Sequence, residues 1–255
     1  MNAWDVPVTE LIAIMLGAVR AGAWMVICPP FNSRLIPAQV KALLSVAIAL
    51  PMTPYLRGTI PSIETADIIA CAALQVFVGA SLGFITALLF AAIQAAGDLI
   101  DVFGGFTLAM AFDPLSQSQS SIFGRFYNLM AVTLLFATDG HQLVLRGFMQ
   151  SYEALPLDAS LSLETFSRLL VSGIGEMFLS ALQIAGPLIA VLFLTDVAFG
   201  LLNRVAPALN AFQLGFPAKI GLVLALSGTA IAMLPRILDH IVDNAVNAVV
   251  QLTGG

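Results

Sequence analysis

Charge is what this sequence has least of. Only 10% of its 255 residues are Asp, Glu, Lys or Arg, against about 25% in a soluble domain, which excludes an ordinary water-facing fold. Cysteine and histidine are scarce too, with two of each. Cys28 and Cys71 both lie in apolar runs and read as small core residues, not as a disulfide framework. The two histidines are far apart, His240 reads as a solvated surface residue, and no cluster has zinc-ligand spacing. There is no glycine-rich phosphate loop and no Ser-His-Asp or Cys-His set in a supporting context, so neither a cofactor nor catalysis is implied. Ten basic residues stand against fifteen acidic ones, a net charge of -5, which argues against a nucleic-acid partner. The opening residues, MNAWDVPVTE, carry acids and no bases. That is the wrong sign for a secretory signal, so the first apolar run is expected to be retained.

What the chain does have is hydrocarbon: 59% hydrophobic residues and a mean hydropathy of +0.97. In lipid, backbone polar groups must be satisfied internally, which leaves helices or a closed barrel. A barrel would alternate with period two. Here the apolar runs are continuous and rich in Leu, Ala and Ile, so the expected fold is an all-α membrane protein of about six hydrophobic helical segments. The first run, 11–31, is interrupted by Arg20. The second, 42–56, is short and broken by Pro51 and Pro54. The third, 68–97, has thirty residues without a charge and at 1.5 Å per residue exceeds a bilayer core of about 30 Å; Gly79 and Gly83 read as bend or close-packing positions. Segments 122–138, 169–200 and 220–235 complete the set. Asp139-Gly140-His141 is a turn signal, followed by a short helical piece, 142–152. Residues 236–252 place apolar side chains at helical spacing and read as an amphipathic helix on a membrane or partner surface. With six spans, Arg34, Lys41, Arg204 and Lys219 fall on one side, and the positive-inside rule makes that side cytoplasmic.

Two stretches interrupt this pattern. Residues 195–221 carry Pro207, Gly215 and Pro217. Arg204 to Pro207 reads as a helix end and Gly215-Phe216-Pro217 as a second break. Such a stretch is either a loop between spans or a broken element buried in protein, and its residues alone favour the loop. Residues 98–121, DLIDVFGGFTLAMAFDPLSQSQSS, hold three acids, two adjacent glycines and Pro114, which argue against a straight span. Phe103, Phe106, Met110 and Phe112 argue equally against a plain solvated loop. Such a segment is either a surface loop with its aromatics at the membrane interface or one that could close a wide pore by packing and release it by reordering. A shift of 103 residues relates the two stretches, aligning Gly83 with Gly186, Gly97 with Gly200 and Pro114 with Pro217, as two helix–break–helix units would. Arg20, Glu176 and Asp196 lie in or near apolar runs, where a charge costs roughly 2.5–3.5 kcal/mol. Pairing between helices is the favoured reading. The alternative is a secondary transporter with a midplane site at Glu176 and Asp196.

Several patches together resemble the flagellar biosynthetic protein FliR family, a subunit of the type III export gate. They are Arg34-Leu35-Ile36-Pro37-Ala38-Gln39-Val40-Lys41; Gly97-Asp98-Leu99-Ile100-Asp101 followed by Phe112-Asp113-Pro114; and Leu135-Phe136 leading to Asp139-Gly140-His141. The most specific patch joins Asp196, Gly200, Arg204, Val205-Ala206-Pro207, Asn210 and Gly215-Phe216-Pro217-x-Lys219. The chain departs from the family at Ala208 and Phe103, where glutamine is common. The resemblance implies one export-gate domain over residues 1–255, built from helical hairpins and assembled with FliP and FliQ, and with FlhB and FlhA nearby, into a helical channel largely raised out of the membrane plane, so that six simple spans are not expected. It implies the flagellar basal body of the bacterial inner membrane, contact with membrane lipid, and passage of unfolded flagellar substrates with no enzymatic step. It implies that the central loop, 97–121, helps plug the channel through Phe106, Met110, Phe112, Asp113, Pro114, Ser116 and Gln117. It also implies that Arg34, Pro37, Asp196, Gly200, Arg204, Pro207, Asn210, Gly215, Phe216, Pro217 and Lys219 serve structure and subunit packing. On this reading 195–221 becomes a buried, broken element, with Arg204 and Lys219 paired to Asp101 or Asp196.

Overall fold

The computed structural model describes residues 7–60, 63–107, 121–158, 163–207 and 213–228. The regular elements among them are all helical, as expected. They are α1 (Val8–Ile27), α2 (Ala38–Leu56) running into a 3-10 turn (Arg57–Thr59), α3 (Thr65–Gly104), α4 (Ile122–Ala137), α5 (Gly140–Ala154) and α6 (Leu163–Val205), then α7 (Gln213–Gly228). Four are long and apolar enough to cross a membrane: α1, α2, α3 and α6. The 40 residues of α3 and 43 of α6 correspond to roughly 60 Å each, about twice a bilayer core. The tail 236–252 lies outside the described residues.

Three expected breaks are absent. Pro51 and Pro54 sit inside a continuous α2. Pro54 cannot donate to Leu50 O, and the Thr53 hydroxyl donates to that carbonyl instead at 2.8 Å, so the freed acceptor is satisfied within the helix. Asp98 and Asp101 do not end α3, which runs to Gly104 because Asp101 finds polar partners off the helix. The Gly215-Phe216-Pro217 motif lies inside α7, with Pro217 its fifth residue, and does not break it. The other expected end holds: α6 stops at Val205, two residues before Pro207. The turn at Asp139 also holds. Asp139 is left-handed at φ 58°, and its carbonyl and carboxylate accept from Gln142 N and Nε2 at 2.9 and 3.0 Å.

The described residues fall into two compact units. The first takes in Met1–Leu89 and Thr138–Gly173. In it α1 and α2 form an antiparallel hairpin that meets along small residues: a β-carbon on Gly17 would lie 3.2 Å from Ala49 Cβ, and one on Gly22 3.5 Å from Ser45 Oγ. Gly79 and Gly83, one turn apart on α3, let that helix touch the α1 backbone at Arg20 O and Trp24 O. They are close-packing positions and not bends, as small residues spaced by four are in membrane helices. Trp24 stacks on Phe148 of α5 at 4.5 Å. Cys28 and Cys71 are buried and unbridged, as core residues should be.

Arg20 sits in this core with no exposed surface. Its Nε donates to Gln75 Oε1 at 2.6 Å, Nη1 to Ser151 O at 2.9 Å and Nη2 to Leu155 O at 2.8 Å. The guanidinium also lies 4.6 Å from the centre of the Tyr152 ring, whose hydroxyl donates to Gly17 O at 2.7 Å. One cation thus ties α1, α3 and α5 together through neutral acceptors and a ring face.

Candidate functional site

The second unit holds Phe90–Ala137 and Ile174–Ile241, and its described residues converge where α3 ends and α4 begins. These two ends flank the central loop. α3 stops because Gly105 adopts φ +84°, the left-handed conformation that glycine takes just past a helix end. The ring of Phe216 from α7 covers this point: a β-carbon on Gly105 would lie 3.0 Å from it. Val223, two turns further along α7 and fully buried, reaches the neighbouring Gly104. Lys219 donates to Phe103 O at 3.3 Å and pairs with Asp196 of α6 at 2.5 Å. A cation is well placed there, since the last carbonyls of a helix lack partners and carry partial negative charge.

The start of α4 is held by α3 itself. Ser121 is the N-cap, its Oγ accepting from Gly124 N at 2.8 Å. Asp101, 1% exposed, accepts from Phe123 N at 2.9 Å and from the Ser121 hydroxyl. A carboxylate at a helix N-terminus satisfies free N–H groups and complements the dipole. The two helices come this close because both are glycine at the contact. A β-carbon on Gly97 would lie 2.5 Å from Phe123 O, and one on Gly124 would meet the Asp98 carboxylate. Phe106, half-buried just beyond Gly105, sets its ring edge against Phe123 at 5.3 Å. The loop therefore leaves and re-enters through a tied neck.

The same geometry separates the residues of the transporter alternative. Glu176 and Asp196 lie on one uninterrupted helix, α6, about 30 Å apart at 1.5 Å per residue. They cannot share one site.

Comparison with known proteins places this architecture. Residues 11–245 match the family described as bacterial export proteins, family 1. The flagellar biosynthetic protein FliR of Pectobacterium carotovorum is 32% identical over 241 residues, covering 94% of this chain and 92% of that protein. The chain belongs to the FliR family. The FliR of Bacillus subtilis is 32% identical over 82% of each chain. The secretion system apparatus protein SsaT of Salmonella typhimurium is 30% identical over 65% of this chain and 63% of that one.

Of the residues that pointed to the FliR family, the structure brings one group together: Asp196, Phe216 and Lys219, with Gly215 facing Phe199, where a β-carbon would lie 3.5 Å from the ring. Lys219 pairs with Asp196, while Asp101 is taken by Ser121 and Phe123. Gly200 has nothing within 4 Å among the described residues. Arg204 and Pro207 are exposed at the end of α6. Arg34 is exposed in the turn between α1 and α2, and Pro37 caps α2. Met110, Phe112, Asp113, Pro114, Ser116, Gln117 and Asn210 lie outside the described residues. Asp101 and Ser121 were missed as a pair. The available signal was a serine immediately before the apolar run of α4, the ordinary mark of an N-cap.

Proposed function

We propose that this FliR-family chain is a non-enzymatic subunit of a flagellar type III protein export gate in the bacterial inner membrane, within the flagellar basal body. The whole of residues 1–255 serves as one gate domain, joined to FliP and FliQ, with FlhB and FlhA alongside, and unfolded flagellar proteins pass through the assembly. The central loop, 97–121, helps close that passage, with Phe106, Met110, Phe112, Asp113, Pro114, Ser116 and Gln117 as its plugging residues. The observation that carries this reading is family identity over nearly the full length. The tied neck supports the loop's part in it: α7 and Lys219 brace one end, and Asp101 braces the other. The test is to delete residues 115–120, measure ion leak across the cell membrane, and identify co-purifying subunits by mass spectrometry of the intact complex. Increased leak with an intact complex is the expected result. Unchanged leak removes the plug, and a chain that purifies alone and moves solute in liposomes removes the gate.

A further inference from the structure

The helix ends at the neck are held by unequal means. Between α3 and α4 the contacts are close and buried. Gly97 and Gly124 let backbone approach backbone, and the Phe106 ring edge meets Phe123. Asp101, at 1% exposure, accepts from Phe123 N and the Ser121 hydroxyl. Further along, Asn128 Nδ2 donates to Gln94 Oε1 at 3.2 Å. Parting these two helices would leave a buried carboxylate and a helix N-terminus unpaired at once.

α7 is attached far more lightly. Of its residues, Val223 alone is buried against the other described residues, and Leu214 and Leu224 are 50% and 61% exposed. Its contacts with the α3 terminus are Phe216 over Gly105, Val223 against Gly104, and Lys219 Nζ donating to Phe103 O. That hydrogen bond is long at 3.3 Å. The other partner of the ammonium, Asp196 of α6, has a side chain 52% exposed, so water and salt compete for both contacts. A helix in a protein is held mainly by the apolar face it buries, and one that buries so little is the first to leave. Because one ammonium serves both α6 and α3, a shift of the α6–α7 pair away from α3 breaks the contact with Phe103.

We infer that α7 is a releasable latch on the end of α3, with Lys219 and Phe216 as its contacts, and that α3 and α4 stay joined as one body when it lets go. On release, Phe103 O and its neighbouring carbonyls exchange the ammonium for water, a small change for groups already near the surface. The rival motion, α3 and α4 splaying apart, requires the buried Asp101 tie to break first. The inference rests on the gate reading of the proposed function and adds to it which contact yields and which holds.

The test uses the full chain in cells that export flagellar proteins. Gly104→Cys with Val223→Cys joins the latch to α3: a β-carbon on Gly104 would lie 3.0 Å from a Val223 methyl, close enough for a disulfide, whose β-carbons stand about 3.5–4.5 Å apart. Cys28 and Cys71 are buried, and the single variants give the background. Oxidising the pair should abolish export, and reducing it should restore export. Gln94→Cys with Asn128→Cys, bridged by a short thiol-reactive cross-linker, should leave export unchanged. Export that survives the 104–223 disulfide, or is lost on bridging 94 to 128, overturns the inference. Lys219→Gln should raise the resting ion leak about two- to fivefold, the shift that loss of a screened ion pair allows; an unchanged leak overturns the Lys219 contact. In the unsubstituted complex, where no variant has to fold, the amides of α7 should exchange at least about tenfold faster than those of Phe123 and Gly124. Equal protection there overturns the order of release. Export that persists in cells lacking this chain removes the gate reading itself.

Discussion

Asp101→Ala should loosen the start of α4 while leaving the α1–α5 core intact. The carboxylate accepts from Phe123 N–H at 2.9 Å and from the Ser121 hydroxyl. A hydrogen bond to a charged group contributes about 1.5–3 kcal/mol net, and a buried N–H left unpaired costs about 1–3 kcal/mol. The helix dipole adds about 0.5–1 kcal/mol. Against these stands the cost of keeping a carboxylate 1% exposed, with its Oδ1 unpartnered among the described residues, a cost that the substitution removes. The balance is a local destabilisation of about 2 kcal/mol. Asp101→Asn keeps one acceptor oxygen and loses the charge, so about 1 kcal/mol is expected. Ser121→Ala removes the N-cap at about 1 kcal/mol. Because the two side chains touch, the double substitution should fall short of the sum by roughly 1 kcal/mol. The assay is hydrogen exchange at the Phe123 and Gly124 amides of the full chain, since a chain of two compact units need not unfold in one step. Exchange there should quicken about 30-fold in Asp101→Ala, with the amides of α5 unchanged. Wild-type exchange in Asp101→Ala, or strict additivity in the double variant, would refute the tied neck.

Arg20→Met fills similar space but strips the donors from Gln75, Ser151 O and Leu155 O; a loss of about 2–4 kcal/mol is expected after relief of the buried charge. Thermal melting and protease resistance in detergent would show it, with Arg20→Lys between Met and wild type because an ammonium cannot reproduce the guanidinium fork. Gly79→Val should be severely destabilising, because its β-carbon would collide with Arg20 O. Gly186→Ala, with nothing within 4 Å among the described residues, should be neutral or stabilising by up to about 1 kcal/mol; the same melting series compares them. Asp196→Lys with Lys219→Asp should recover secretion only in part. The pair, exposed on its Asp196 side, is worth about 0–1 kcal/mol after solvent screening, and the swap cannot restore the donor to Phe103 O.

What could be read in the sequence, and what could not, divides along one physical line. Long apolar runs announce themselves, because period and hydropathy are local, so α1, α3 and α6 were legible as helices, with ends up to seven residues off. Helix-breaking residues were misread wherever another side chain or a facing helix satisfied the groups they disturb. Asp101 looks like the end of a span until Ser121 and Phe123, twenty residues on, are found donating to its carboxylate. Pro54 looks like a break until the Thr53 hydroxyl fills the vacant acceptor. The glycines that the 103-residue echo aligns match in type and not in neighbours. Gly83 and Gly97 press against backbone, whereas Gly186 and Gly200 have nothing within 4 Å among the described residues. A glycine that permits contact and one that merely interrupts a helix are the same letter, and only the facing helix tells them apart. The Asp196–Lys219 pair shows the converse. Two charges 23 residues apart at the edges of apolar runs each needed a partner, so pairing was expected before geometry was known. Choosing Asp196 over Asp101 required seeing Asp101 already committed to α4.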